Sequence, residues 1–261
     1  SRTRKGVLAI VFDHTDRIQH TFFRTLDPKH PLYETEEAKN FRDAIEQVYI
    51  RADELLGKVL KKLGKNDVIF VMSDHGFKSF RRGINLNSWL WKEGYLVCKN
   101  PQGSEEMFKD VDWSQTRAYA LGLSGIYLNL KGREAKGIVE PGEEAQKLRK
   151  EICEKLTGLK DPQTGEVAIR KAYDAYEYLS GPYLENAPDI IVGYNEGYRM
   201  DWDGTLGAVN EKIFSDNTKS WSGDHCLDPE LVPGILFTNL KLSKDDCLVG
   251  DLAPTILRLF D

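Results

Sequence analysis

Three short segments hold the residues best suited to chemistry: VFDHTDRIQH at 11–20, MSDHGF at 72–77 and WSGDHC at 221–226. The chain has five histidines, at 14, 20, 30, 75 and 225, and four of them fall in these segments. Asp16 and His20 stand four residues apart, so one helical turn puts them on a common face. A carboxylate and an imidazole suit Zn²⁺ or a related divalent ion, Mn²⁺ included. His225, from the far end of the chain, brings the set to three protein ligands. Three ligands leave a position for water or a phosphate oxygen, the pattern of a catalytic metal rather than a structural one. Asp74 and His75 offer two ligands for a second ion, and two alone do not close a site.

Each segment taken singly has a plainer reading. Asp16 and His20 also make an ordinary i,i+4 ion pair. Asp74-His75-Gly76 also makes a strand-to-helix turn with the aspartate as a cap. Together the three segments favour a metal site. His14 and His30 read as structural or surface residues. Asp13 and Asp224 are spare carboxylates, available to orient a ligand histidine. Arg81 and Arg82 either clamp a phosphate or form a solvated basic turn, and the turn is the simpler reading. There is no GxSxG elbow and no phosphate-binding P-loop.

The elements that must position these residues follow from hydrophobic pattern. The apolar run GVLAIVF at 6–12 reads as a buried parallel strand ending at Asp13. Phe41, Ile45, Val48, Ala52, Leu55, Val59 and Leu63 recur at steps of three and four, predicting one helix over 34–63 stopped by Gly64. A second buried strand is expected at 67–72, giving a βαβ unit. Further expectations are a short helix at 85–93 ended by Gly94, strands at 125–130, 188–194 and 234–239, a helix at 142–156 and a closing helix at 250–260. Turn signals are denser from 99 to 215, so that stretch reads as an inserted cap. Core α/β sequence is expected at 1–98 and 216–261. Six tyrosines in the cap, at 173, 176, 178, 183, 194 and 198, either pack with a polar edge or face a ring or sugar. In open α/β sheets, ligands bind beyond the carboxyl ends of strands, where the Asp16 and Asp74 segments would lie.

A chain of 261 residues with 41% hydrophobic and 30% charged residues suits one large domain with an insertion. The net charge of −5 argues against a nucleic-acid partner. No apolar run reaches the ~20 residues of a membrane span. The four scattered cysteines suit a reducing, cytoplasmic compartment.

The motifs DHTDRIQHTFFR, SDHGFKSFRRGINLNSWL, GIYLNLKGRE, APDIIVGYNEGYR, WSGDHC and DLAPTILRLF resemble the predicted phosphohydrolases and phosphomutases of the alkaline phosphatase superfamily. The branch they resemble most lies near the type I phosphodiesterases and nucleotide pyrophosphatases. The resemblance implies an α/β three-layer sandwich with a mostly parallel central sheet. It implies two divalent metal ions, one held by Asp16, His20 and His225, the other by Asp74 and His75 with an early aspartate. It implies a small-molecule phosphate mono- or diester as substrate and a Thr or Ser nucleophile. That nucleophile and the early aspartate are expected upstream of Ser1, which makes this an incomplete catalytic domain, with dimerisation through the open face as one consequence. A phosphomutase and a non-catalytic metal-binding module are the alternatives.

Overall fold

The structure is a computed structural model that describes residues 6–243 and 246–260; Ser1–Lys5, ahead of the first apolar run, lie outside it. In chain order the helices are α1 (His14–Phe22), α2 (Glu36–Asn40), α3 (Ala44–Leu60), α4 (Leu86–Lys92), α5 (Glu143–Leu156), α6 (Ala175–Tyr178), α7 (Trp202–Thr205) and α8 (Leu252–Arg258). The strands are β1 (Phe70–Met72), β2 (Lys78–Ile84), β3 (Ala118–Leu121), β4 (Gly125–Leu128), β5 (Ile169–Asp174), β6 (Ile190–Tyr194), β7 (Gly197–Met200), β8 (Phe214–Asp216), β9 (Gly223–Asp224) and β10 (Leu236–Thr238). The chain is a mixed α/β protein with several sheets. The sequence predicts one mostly parallel sheet, whereas the described strands form three. β1 pairs with β10, β2 is flanked by β7, β8 and β9, and the third sheet runs β3-β4-β6-β5. Of the pairings between these described strands, only β2–β7 is parallel.

The best-packed core lies between the third sheet, α4 and α5. Leu86, Leu90, Ile126, Leu128, Ile152, Leu156 and Ile190 are completely buried there. Each such side chain contributes roughly 1.5–3 kcal/mol by leaving water. In α5 the buried positions 145, 148, 152 and 156 recur at three and four, so its apolar stripe faces the sheet. Asn85 caps α4 by accepting from the Ser88 amide at 2.9 Å, and Gly94, at φ +77°, ends that segment as expected.

Four expectations change. The run at 6–12 forms no strand and is exposed, Leu8 at 85% and Val11 at 89%. A continuous apolar run signals a tendency to be buried, but a strand also needs a neighbour to complete its ladder, and none of the described strands pairs with it. With no first strand, and with β1 antiparallel to β10, the expected βαβ unit does not form. The helix expected over 34–63 is broken at 41–43. Thr35 caps α2 at the Ala38 amide, and Arg24 donates to Glu37 at 2.9 Å, tying α2 to the turn after α1. α3 instead packs on α1, where Gln19 reaches the Tyr49 hydroxyl at 3.1 Å. Periodicity runs through such a break because both halves keep an apolar face. Finally, α3 stops at Leu60, ahead of Gly64, whose amide donates to Asp67 in a turn of its own. No helix among the described residues is long and apolar enough to cross a membrane.

Candidate metal centre

The centre is assembled by two contacts, one between strands and one between a helix and a strand. β2 pairs antiparallel with β9, Lys78 opposite Asp224 and Ser79 opposite Gly223. Continuing that register sets the residues just before Lys78 beside those just after Asp224. The His75 and His225 rings accordingly stack, centroids 3.7 Å apart and 15° from parallel. The turn holding Asp74 and His75 is tied down from both sides. Ser73 N donates to Ile235 O at 3.1 Å and Gly76 N to Val232 O at 2.9 Å.

The second contact is α1 against β9. Asp16 and His20 share one face of α1, as their spacing predicts. The Ser222 amide donates to His20 O at 2.6 Å, and the His20 ring nitrogen Nδ1 lies 2.8 Å from Gly223 O. Gly223 is needed here, because a Cβ would fall 2.5 Å from Gln19 O and 2.7 Å from Phe23 Cβ.

Asp16 Oδ1 lies 3.5 Å from His20 Nε2 and 3.7 Å from His225 Nε2. Ligand atoms placed ~2.1 Å from a tetrahedral ion stand about 3.4 Å from one another, which the two Asp16 distances approach, while the His20 and His225 ring centroids stand 5.2 Å apart. Of the five candidates, the three whose ligand atoms all lie within 4.8 Å of one another are Asp16, His75 and His225. Asp74 Oδ1 is 3.6 Å from His75 Nε2 and largely exposed. Asp16, His20, His75 and His225 therefore gather in one place, with Asp74 beside His75.

The imidazoles are prepared as donors of lone pairs. A carbonyl can only accept, so His20 Nδ1 carries a hydrogen toward Gly223 O, and His75 Nδ1 carries one toward Gly76 O at 3.0 Å. Nε2 of each is left as the basic nitrogen. His225 is held below the ordinary imidazole value, by burial first and then by His75, against the opposing pull of Asp224. That lowering favours the neutral ring, the form that ligates metal. His20 is packed between Trp221, stacked at 3.8 Å, and Phe77, edge-on at 4.7 Å.

Other sequence expectations resolve individually. His14 is exposed, and Asp13 faces it and Arg17 at the surface. His30 is buried, its Nε2 donating to Phe80 O while Nδ1 accepts from the Leu32 amide, a structural role. Arg81 and Arg82 are neither free nor solvated. Arg81 pairs with Asp27 at 3.2 Å, and Arg82 binds Asp161, Gln163 and Asp216. Each guanidinium faces carboxylates of its own chain. Among the tyrosines, Tyr194 and Tyr198 are buried, Tyr173 donates to Asp228 at 2.8 Å, and Tyr183 is exposed.

Sequence reasoning missed Trp221 and Arg199. Trp221 Nε1 donates to Asp224 Oδ2 at 2.9 Å, and Arg199 Nε lies 2.7 Å from the same oxygen. Trp221 had a signal, four residues before His225. Arg199 had none, since its partner is twenty-five positions along the chain.

The chain matches the type I phosphodiesterase / nucleotide pyrophosphatase family over residues 1–217. It belongs to that family. The match spans Asp16, His20, Asp74 and His75 and stops before His225. Comparison with curated proteins gave no significant match. This family hydrolyses phosphate esters and is generally metal-dependent. Carboxylates and imidazoles gathered this closely form a donor set that fits a divalent ion.

Proposed function

We propose that this chain is a metal-dependent phosphohydrolase of phosphate mono- or diesters, within an alkaline-phosphatase-like fold. The observation that carries the reading is the meeting of His20 Nε2 and His225 Nε2 on one oxygen of Asp16, at 3.5 and 3.7 Å. Asp16, His20 and His225 would hold one divalent ion, zinc or manganese. Asp74 and His75 would contribute to a second. Bound there, such ions supply Lewis-acid polarisation of phosphoryl oxygens. The chain's own part is positional. Gly223 O and Gly76 O fix the tautomers of His20 and His75. Trp221 and Phe77 fix the plane of the His20 ring and shield it from water, leaving it 5% exposed. Asp16 stands 40% exposed on the open side, where a phosphate ester can approach. The segment 99–215, which contributes the β3-β4-β6-β5 sheet, would act as the cap that selects the leaving group.

The test is zinc and manganese binding by the chain and by a His20→Ala, His225→Ala double mutant, using equilibrium dialysis. Stoichiometric binding by the parent and its loss in the double mutant is the expected result. Undiminished binding in the double mutant removes the reading.

A further inference from the structure

We propose that Arg199 is a positioning residue of this centre, acting through Asp224 to hold both His20 and His225. The inference rests on the metal-site reading above.

Arg199 lies at the end of a chain of contacts leading away from the site. Its side chain is 2% exposed, lodged over the Phe80 ring at 4.8 Å and the Trp202 ring at 4.3 Å. Nη1 donates to Met200 O at 2.7 Å, and Nε sits 2.7 Å from Asp224 Oδ2. Asp224 is equally buried and spends both oxygens on the site. Oδ1 accepts from the His225 amide at 2.8 Å and from the Cys226 amide at 2.9 Å. Oδ2 accepts from the Trp221 indole, whose ring stacks on His20.

One carboxylate thus sets the backbone that aims His225 and the aromatic wall that aims His20. A carboxylate buried this deeply stays ionised and fixed only if a cation stands beside it. Arg199 is that cation. Its strand, β7, lies next to β2 on the side opposite the β2–β8 pairing, while Asp224 belongs to β9, which also pairs with β2. The ion pair therefore closes a bracket across the strand that follows His75. A plain core arginine would leave the imidazoles indifferent to its removal. This one is linked to two of them through a single shared group.

The experiment compares Arg199→Met, Arg199→Lys, Asp224→Asn and Trp221→Phe with the parent. Two readouts are used, zinc affinity by calorimetry and the imidazole ¹⁵N spectra without metal. Arg199→Met should weaken zinc binding about 10–100-fold, the usual loss when a group orienting a ligand is removed. Arg199→Lys, which keeps the charge, should recover part of it. In an Asp224→Asn background, Arg199→Met should add little, because the two act in series. In the metal-free spectra, the His20 and His225 signals should shift in each variant while exposed His14 stays put. Should Arg199→Met fail to fold, Arg199→Lys and Trp221→Phe carry the test alone. Zinc affinity and His20 and His225 spectra unchanged in these variants overturn the proposal. A parent chain that binds no zinc overturns the metal-site reading instead, and the imidazole spectra still decide the role of Arg199.

Discussion

Replacing Gly223 by alanine tests the joint on which the centre is built. The added Cβ would stand 2.5 Å from Gln19 O and 2.7 Å from Phe23 Cβ. Comfortable carbon contacts begin near ~3.5 Å, so α1 must retreat from β9 by roughly 0.7–1 Å. The obstacles are a main-chain oxygen and a Cβ, neither of which can swing aside. Forcing apart packed elements in this way costs about 1–3 kcal/mol, and more where backbone must move. The same retreat lengthens the 2.8 Å contact of His20 Nδ1 with Gly223 O to about 3.5–3.8 Å, beyond hydrogen-bond range. It also draws Asp16 and His20 away from His225. Urea unfolding followed by tryptophan fluorescence should show a loss of about 2–4 kcal/mol. Zinc titration of the folded protein should show at least about tenfold weaker binding. Gly57→Ala is the control. It lies inside α3, its Cβ would meet nothing within 4 Å, and it should stabilise by about 0.4–1 kcal/mol. A Gly223→Ala protein as stable and as zinc-avid as its parent refutes the packing argument.

Other consequences are open to measurement. Asp201 caps α7 at the Gly204 amide, and burial pushes its carboxyl up to about 6 despite that bond. A carboxyl raised in the folded state lowers stability as pH climbs from its unfolded value through 6, so Asp201→Asn should gain about 1–3 kcal/mol at pH 8 and nothing near pH 3.5; a gain independent of pH contradicts this. Arg82→Met strands the fully buried Asp161, so unfolding should cost about 3–5 kcal/mol less, with the zinc affinity of the folded protein unchanged. A selective loss of zinc or phosphate binding without that destabilisation would restore Arg82 as a ligand-facing residue.

The legible part of this molecule was the placement of its acidic and imidazole side chains. Asp16 and His20 were readable because helical spacing converts four residues into one face, and Asp74-His75 because it follows an apolar run. The short elements with punctuation at both ends were also readable, as in α4 between Asn85 and Gly94. What pattern did not carry was partnership. The run at 6–12 has the composition of a buried strand, yet burial of a strand depends on what lies beside it. β1 has the same kind of sequence and found β10, more than one hundred and sixty residues away. Arg81 and Arg82 illustrate the same limit. A pair of adjacent arginines looks alike whether it awaits a phosphate or is already matched by Asp27, Asp161 and Asp216. The role of Asp224 was partly readable from its neighbour His225, but the cation that fixes it sits on another strand.

The most direct measurement is anomalous diffraction at the zinc edge from crystals of this chain grown with zinc. The account predicts a peak about 2.0–2.2 Å from Asp16 Oδ1, His20 Nε2 and His225 Nε2. It predicts a second peak beside Asp74 and His75, about 3.5–4 Å from the first. Zinc bound elsewhere on the chain, with no peak between Asp16 and the two histidines, would contradict it.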